Sequence, residues 1–286
     1  DAGARSFEAS NAASVAAAMA GATHVVNCVM GAPAAMEAVT ANLAKAAIAG
    51  GSVTRIVHLS SIAVYGGLTG RVGEDAALGS GVDRYGASKI ACERILSEAG
   101  PQGPSTVVLR PGLVYGPGSP LWSVRIARLL AAHRLGDLGE NGDGSCNLVH
   151  VDDLVRAITA ALTVPVAGGT GVFNLDDPDP PTWNRYLMAY ARALGALPVA
   201  RITGRGLRFE TTLVGPLLRT AEIGARTLLG TAATVPPPIT PGLARLFGRI
   251  VRYDSGRADI LFPEGRTPWP DGVRAAATSM AEPRRV

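Results

Sequence analysis

The chain has 286 residues, of which 47% are hydrophobic, so it can bury the core of one large α/β domain or of a core domain with a smaller companion. Its net charge is only +4 and its arginines are spread along the chain, which argues against nucleic acid as a partner. No apolar stretch reaches the roughly 18 residues of a membrane span, no signal peptide is recognisable, and the 3 cysteines show no metal or redox spacing. These features predict a cytoplasmic protein that holds no metal.

Residues 4–26 begin the series of predicted elements with a short strand, a helix and a strong strand. Downstream, short apolar runs rich in β-branched residues alternate with helical stretches. Their apolarity is continuous rather than alternating, which indicates strands buried on both faces of a parallel sheet. The predicted strands lie in Thr23–Met30, Thr54–Ser61, Ser105–Gly112 and Gly171–Leu175, and the predicted helices in Ala34–Ala49, Arg84–Ala99 and Pro120–Arg134. This alternation predicts a doubly wound α/β fold.

The second half of the chain is dominated by helical patterns. Residues 149–162 indicate a strand that passes into a helix, with Asp152 or Asp153 placed to cap it. A turn-rich break at Asp176–Trp183 precedes a region punctuated by proline and glycine. We therefore expect a smaller, mostly helical region on the substrate side after this break.

One glycine pattern, "GLTGRVG", has glycines at Gly67, Gly70 and Gly73. A phosphate-binding turn needs a strand before it and the N-terminus of a helix after it. The residues that follow, "EDAALGSGVD", are acidic and loop-like and begin no amphipathic helix. The pattern therefore predicts a flexible loop.

Tyr85 and Lys89 in "YGASK" lie one helical turn apart, so their side chains share one face of the predicted helix. A free phenol has a pKa near ~10, and lowering it to ~7 takes about 4 kcal/mol of preferential stabilisation of the phenolate. A nearby ammonium and a positively charged nicotinamide ring would supply it. The spacing alone is common, and an exposed pair on an ordinary helix is the competing interpretation.

Ser60 and Ser61 stand at the end of the strand predicted in Thr54–Ser61, upstream of Tyr85. Ligands of an open parallel sheet bind at the carboxyl ends of its strands, where a serine hydroxyl can bind the substrate oxygen that a tyrosine protonates or deprotonates. The competing interpretation is a serine that satisfies main-chain groups at a strand end. The combination with Tyr-x-x-x-Lys at the start of the next helix favours an active site.

Four motifs occur in the order and spacing of a known family: "LSSIAVYG", "YGASK", "LRPGLVYGPG" and "NLVHVDDLVRA". On these residues the chain resembles the extended short-chain dehydrogenase/reductases. That family includes NAD-dependent epimerases and dehydratases of nucleotide sugars and 3β-hydroxysteroid dehydrogenase-like enzymes. The resemblance runs from about Glu8 to Leu194. It implies a Rossmann-like dinucleotide-binding domain over residues 1–175, a substrate-binding region over residues 176–286, and NAD or NADP as cofactor.

The resemblance also assigns roles by position. Tyr85 falls on the catalytic acid/base, Lys89 on the lysine that holds the nicotinamide ribose and lowers the pKa of the tyrosine, and Ser61 on the substrate-polarising Ser or Thr. It further implies that the cofactor contacts Tyr85 and Lys89 together with Glu8, Ala9, Cys28, Val29, Met30, Ser60, Pro111 and Gly112.

Three positions depart from the family's pattern. The glycine-rich turn and the residue that chooses NAD over NADP would lie before Asp1, so the expected Rossmann-like domain is incomplete at its N-terminus. The family's active-site asparagine has no counterpart near Met36. Cys146 stands where many nucleotide-sugar enzymes place an arginine against the diphosphate, which weakens the prediction of a nucleotide-sugar substrate.

Other polar and aromatic residues have plainer interpretations. His58 and His150 lie within predicted strands and are expected to be structural. Asp152 and Asp153 are expected to cap a helix and anchor a loop rather than to act as acids. Trp122 and Trp183 fit either the lining of a substrate pocket or ordinary packing.

The predicted activity is that of an NAD(P)-dependent oxidoreductase or epimerase acting on a hydroxyl or keto group of a sugar-type or other small substrate. Dehydratases of the family tend to carry an acidic pair after the Ser or Thr, where Ile62 and Ala63 stand here, which disfavours dehydration. Two alternatives stay open: a hydroxysteroid-dehydrogenase-like ketoreductase of a hydrophobic alcohol, and a non-catalytic NAD(P)-sensing or scaffold protein. The resemblance also implies a homodimer formed through the helix that carries Tyr85.

Overall fold

The structure is a computed structural model that describes residues 6–99, 103–218, 220 and 237–281. The described residues form two compact units, each assembled from separate segments of the chain. The first unit draws on Asp1–Gly112, Asp153–Asp176 and Tyr253–Gly265, and the second on Leu113–Asp152, Asp177–Arg252 and Arg266–Val286. The assignment of residues 1–175 to dinucleotide binding and of residues 176–286 to substrate binding stays a prediction.

The strands are short, and most lie where the apolar runs predict them. Their bounds are β1 (His24–Asn27), β2 (Arg55–Leu59), β3 (Gly70–Val72), β4 (Ser105–Pro111), β5 (Leu113–Tyr115), β6 (Leu148–His150), β7 (Thr170–Leu175) and β8 (Val251–Tyr253). In the first unit, four of them form a parallel sheet in the order β1-β2-β4-β7. Asn27 is paired with His58, His58 with Val108, and Val108 with Val172, so the carboxyl ends of the four strands lie along one edge.

The helices follow the predicted alternation. Their bounds are α1 (Ala12–Ala18), α2 (Pro33–Gly50), α3 (Arg84–Ala99), α4 (Arg125–Ala131), α5 (Val151–Ala161), α6 (Trp183–Ala193), α7 (Gly204–Phe209), α8 (Pro241–Phe247) and α9 (Trp269–Ala281). Individual residues determine where several helices begin and end. The Asn11 side chain accepts a hydrogen bond from the main-chain N–H of Ser14 at the start of α1. Pro33 is the first residue of α2, and Gly51 ends that helix in the left-handed conformation.

Alanine-rich surfaces let the helices of the first unit pack closely against one another and on the sheet. Helices α1 and α2 pack together, as do α2 and α3. The core between them holds Val15, Leu43, Ala44, Ala47, Val53, Ile56 and Leu96. Burial of these side chains supplies the main driving force for docking the helices. The parallel α/β sheet predicted from the sequence is therefore confirmed.

Three local predictions differ from the structure. Residues 6–8 form no strand, because no neighbouring strand pairs with them among the described residues, and a turn begins at Ala9. The helix predicted over Pro120–Arg134 opens with a π-helical turn at Pro120–Val124 and its α-helical part ends at Ala131. The glycine segment was predicted to be a flexible loop, but it contains the short strand β3; no helix follows it directly, which agrees with the prediction.

The second unit has an aromatic core. Strands β5 and β6 pair in parallel, and helices α4, α6 and α9 pack around them. The largest buried side chains of this core are Tyr115, Trp183, Tyr186, Tyr190 and Phe247. Across the described residues of both units, no helix is long and apolar enough to cross a membrane.

Candidate active site

The candidate site lies in the first unit, where β2 ends and α3 begins. Leu59 closes β2, and Ser60 and Ser61 follow it directly. Asp83 caps α3 by accepting the main-chain N–H of Gly86 at 2.8 Å. This cap fixes the first turn of the helix, on which Tyr85 stands.

Tyr85 is half-buried, and the Ser61 side chain lies close enough to its hydroxyl group to lower its pKa. The same hydroxyl lies 3.8 Å from the sulfur of Met30. The Ser61 oxygen also accepts the main-chain N–H of Ala63 at 3.1 Å, which anchors it at the start of a 3₁₀ turn over Ile62–Tyr65. The two hydroxyl groups expected to share the substrate oxygen are therefore adjacent, and Ser61 is held by its own turn.

Lys89 is only 2% exposed although it carries an ammonium group. Its Nζ donates a hydrogen bond to the main-chain oxygen of Leu59 at 2.7 Å and lies 5.8 Å from the centre of the Tyr85 ring. Burial lowers the pKa of the Lys89 ammonium, and the neighbouring Cys92, Cys28 and Glu93 partly oppose this shift. The one-turn spacing thus brings the phenol and the ammonium together, as the helical period predicts.

The pKa of Tyr85 is raised in this structure. Burial of the phenol is the main cause, the neighbouring Ser61 side chain works in the opposite direction, and the charge of Asp83 raises the pKa further. In the protein alone, desolvation therefore outweighs the factors that would favour the phenolate. The lowering of this pKa implied by the family resemblance stays a prediction.

Gly86 was not among the residues singled out from the sequence, and it has a clear structural role. A Cβ atom at this position would lie 2.6 Å from the main-chain oxygen of Ala63. Only a glycine lets the first turn of α3 approach the turn that begins at Ser61 this closely. The glycine after the tyrosine in "YGASK" was a signal for it, but a glycine inside a helix is no evidence of close contact by itself.

The other predicted cofactor contacts divide into two groups. Cys28, Val29 and Met30 follow β1, Ser60 follows β2, Pro111 ends β4 and Gly112 follows it, so all stand at the carboxyl ends of neighbouring strands. Ser60 is buried and its hydroxyl donates to Glu93, whereas Cys28 and Met30 are exposed. Glu8 and Ala9 precede α1. Hydrogen bonding from Ser10 lowers the pKa of Glu8, whose carboxylate is exposed.

The remaining polar residues stand as follows. His58 is 2% exposed, the described residues offer neither of its ring nitrogens a hydrogen-bond partner, and burial lowers its pKa to about 3. It is therefore neutral at physiological pH. In the second unit, His150 is buried and packs against Gly116, and Asp152 is exposed. Asp153, in the first unit, is buried and pairs with Arg156.

One half of a dinucleotide cofactor fits the residues at this site. The buried Lys89 ammonium gives one N–H to Leu59, and the described residues give the other two no acceptor, so they can bind the hydroxyl groups of a ribose. Met30, Pro111 and Gly112 lie at the neighbouring strand ends. The pyrophosphate of a dinucleotide binds at a glycine-rich turn, and the described residues that precede α1 contain no glycine. The residues present therefore fit the nicotinamide end of the cofactor.

Comparisons with solved structures identify proteins of the same fold. MoeE5 in complex with UDP-glucuronic acid and NAD is 22% identical and superposes with a TM-score of 0.67, covering 93% of this chain and 82% of that one. The UDP-glucose 4-epimerase of Thermotoga maritima, solved with UDP-glucose, is 16% identical with a TM-score of 0.71, covering 96% and 82%. These likenesses establish a Rossmann-like fold, as the sequence predicted.

Sequence comparisons identify the family. A 3-diazoavenalumate denitrifying reductase from a Streptomyces species is 37% identical over 94 residues, which are 32% of this chain and 29% of that reductase. The match therefore spans less than a third of this curated relative. The family model described as "NAD dependent epimerase/dehydratase family" matches residues 5–176, more than half of the chain. On that match, the chain that carries Ser61, Tyr85 and Lys89 belongs to the NAD-dependent epimerase/dehydratase family.

Proposed function

We propose that the chain is an NAD(P)-dependent oxidoreductase or epimerase that acts on a secondary alcohol or its ketone. One arrangement supports this most directly: Ser61, Tyr85 and Lys89 are juxtaposed at the carboxyl end of β2 in a parallel sheet. A hydroxyl donor, a phenol and an ammonium are the groups that proton transfer at a carbinol oxygen requires. The family match supports the same class of reaction.

In this proposal, Tyr85 exchanges a proton with the substrate oxygen. Ser61, whose side chain lies beside the phenol, donates to the same substrate oxygen and keeps it within reach. Lys89 faces the Tyr85 ring with its ammonium and stabilises the phenolate when the proton leaves. A bound nicotinamide supplies the hydride acceptor or donor. The sheet edge and the first turn of α3 hold these groups before any ligand binds, which limits the reorganisation needed for the reaction.

The cofactor proposal follows from the same residues. Lys89 would hold the nicotinamide ribose, while Met30, Pro111 and Gly112 would lie beside the nicotinamide. Structures of MoeE5 and other proteins of this fold were solved with NAD, which supports NAD and leaves NADP as the alternative. The roles of Glu8 and Ala9 near an adenine, and a homodimer formed through α3, also stay predictions.

Two substrate classes remain in the proposal. The solved structures with UDP-sugars favour a sugar-type substrate. A hydrophobic alcohol or ketone is favoured by Cys146, which occupies the position of the expected diphosphate-binding arginine and is fully buried in the core of the second unit. A buried thiol offers neither the charge nor the reach of an arginine toward a diphosphate.

A substrate panel tests the proposal. Purified protein is incubated with NAD(H) or NADP(H) and with UDP-sugars, hydrophobic alcohols and ketones, and both cofactor absorbance and sugar isomers are measured. Replacing Tyr85 by Phe should lower turnover ~10²-fold or more, in line with general acid–base contributions of ~10²–10⁴. Equal turnover in both proteins would contradict the assignment. Tight cofactor binding without turnover of any substrate would instead favour the non-catalytic NAD(P)-sensing protein.

A further inference from the structure

Glu93 lies on α3, one turn after Lys89, and its side chain is 10% exposed. Its carboxylate accepts two hydrogen bonds from Arg110, from Nε at 3.0 Å and from Nη2 at 2.6 Å. It also accepts a hydrogen bond from the hydroxyl group of Ser60. A bidentate, charge-assisted pair with a third donor is a geometrically strict contact, because each bond restricts the position of the carboxylate.

Arg110 is fixed from its other side as well. It lies near the end of β4 with only 4% of its side chain exposed. Its Nη1 donates to the Tyr65 hydroxyl at 2.8 Å and to the main-chain oxygen of Glu74 at 3.1 Å. The Tyr65 hydroxyl in turn donates to Asn174 on β7 at 2.7 Å. The guanidinium is therefore a rigid anchor between strands β4 and β7 of the sheet.

Three successive residues at the end of β2 each lie against a different side chain of α3. The main-chain oxygen of Leu59 accepts from Lys89, and the hydroxyl of Ser60, the next residue, donates to Glu93. Ser61, the residue after that, lies beside the Tyr85 hydroxyl group and lowers its pKa. The position of α3 along β2 therefore determines all three contacts together, and the Glu93–Arg110 pair ties the same helix to β4.

We propose that Glu93 and Arg110 are positioning residues that hold α3 in register with the ends of β2 and β4, and thereby place Lys89 and Tyr85 for the reaction. The inference rests on the proposed function of those two residues. Neither Glu93 nor Arg110 contacts the Tyr85 hydroxyl or needs to contact a substrate. Both act through the helix, and Glu93 also places a negative charge beside the buried Lys89 ammonium.

The chain contains only 2 lysines, Lys45 and Lys89, which allows a direct test without cofactor. In protein labelled with ¹³C at lysine Cε, the exposed Lys45 serves as an internal reference for the titration of Lys89. Glu93→Gln should lower the Lys89 midpoint, because a neighbouring carboxylate is lost, and leave Lys45 unchanged. Asp153→Asn, which disrupts another ion pair of the same unit whose carboxylate is buried, should move neither signal. An unchanged Lys89 midpoint in Glu93→Gln would overturn the inference.

Kinetics on the full chain distinguish the effect of the position of the Glu93 carboxylate from the effect of its charge. Glu93→Asp keeps the charge but shortens the side chain by one methylene, so it cannot bridge Ser60 and Arg110 in the same register. Turnover should fall at least tenfold in both Glu93→Asp and Glu93→Gln and remain unchanged in Asp153→Asn. In a Tyr85→Phe background, Glu93→Gln should lower the residual rate by a smaller factor than in the parent, because part of its effect acts through the phenol. Full turnover in Glu93→Asp, or independent effects in the two backgrounds, would overturn the inference.

The two measurements also separate this inference from the proposed function. If no substrate of the panel is turned over, the proposed function fails while the lysine titration still reports whether Glu93 controls Lys89. If turnover is found but the Lys89 midpoint does not respond to Glu93→Gln, the positioning role fails and the proposed function stands.

Discussion

The main chain of Gly86 lies so close to the main-chain oxygen of Ala63 that an added Cβ atom would stand 2.6 Å from it. This contact sets the distance between the helix that carries Tyr85 and the turn that begins at Ser61. The carbonyl belongs to a 3₁₀ turn with its own hydrogen bonds, so it has little freedom to retreat.

We therefore expect Gly86→Ala to be destabilising, although alanine is the better helix former. The gain in helix propensity is at most about 1 kcal/mol, whereas overpacking costs about 1–3 kcal/mol. Turnover should fall at least tenfold, because the phenol moves away from Ser61, and small displacements of reacting groups are costly. Thermal unfolding and steady-state kinetics measure the two effects.

The neighbouring exposed residue provides the control for this substitution. Ala87→Gly places a glycine on the outer side of the same helical turn. It should cost up to about 1 kcal/mol of stability through helix propensity while leaving turnover unchanged. Equal turnover in Gly86→Ala and the parent protein would show that close approach at Gly86 is not required.

The hydroxyl of Ser61 lowers the pKa of Tyr85 against the larger effect of burial. Ser61→Ala should therefore raise the phenol pKa and move the alkaline-activated limb of the pH–rate profile for alcohol oxidation to higher pH. Ser61→Thr keeps a hydroxyl group at the same position and should retain the parent profile. A profile of Ser61→Ala that coincides with the parent would contradict this effect of the Ser61 hydroxyl on the Tyr85 pKa.

Replacing Lys89 should lower activity without lowering stability. Its charged form is disfavoured by burial, so Lys89→Met removes a desolvation penalty and replaces the side chain by one of similar length. We expect the free energy of unfolding at pH 7 to be unchanged or raised by up to about 2 kcal/mol. Turnover should nevertheless fall ~10²-fold or more, and cofactor affinity should weaken, which isothermal titration measures. A large loss of stability with normal turnover would reverse this assignment.

The low pKa of His58 predicts that the folded protein loses stability in acid. Its pKa is about 3 in the folded protein, and about 6.5 is the ordinary value, so between these values the unfolded chain binds the extra proton. The stabilising contribution is complete above pH 6.5, falls as the pH decreases, and is lost near pH 3. At pH 4.5 the loss is about 3 kcal/mol.

A substitution without a titratable group isolates this contribution. His58→Leu should lose less stability between pH 7.5 and pH 4.5 than the parent, by about 3 kcal/mol, since its other acid-sensitive groups are unchanged. Denaturant unfolding at the two pH values gives the difference. Parallel stability curves for the two proteins would show that His58 is accessible to protons in the folded state.

The sequence predicted most of the architecture of the first unit because the relevant signals are local. Continuous apolar runs indicated four buried strands, and all four form the parallel sheet, although β1 is at least partly exposed over most of its length. Residues 6–8 were wrongly expected to form a strand, because strand formation depends on a partner that the pattern of one segment does not reveal.

For the candidate site, the sequence by itself determined that Tyr85 and Lys89 share a helix face and that Ser61 follows a strand. These are consequences of helical period and of strand length. Only the tertiary structure decided that Lys89 is buried against Leu59, and that Glu93 binds Arg110, a residue on another element. Such contacts depend on how strands pair and how a helix docks, and the pKa values depend on the resulting desolvation, which no spacing in the sequence encodes.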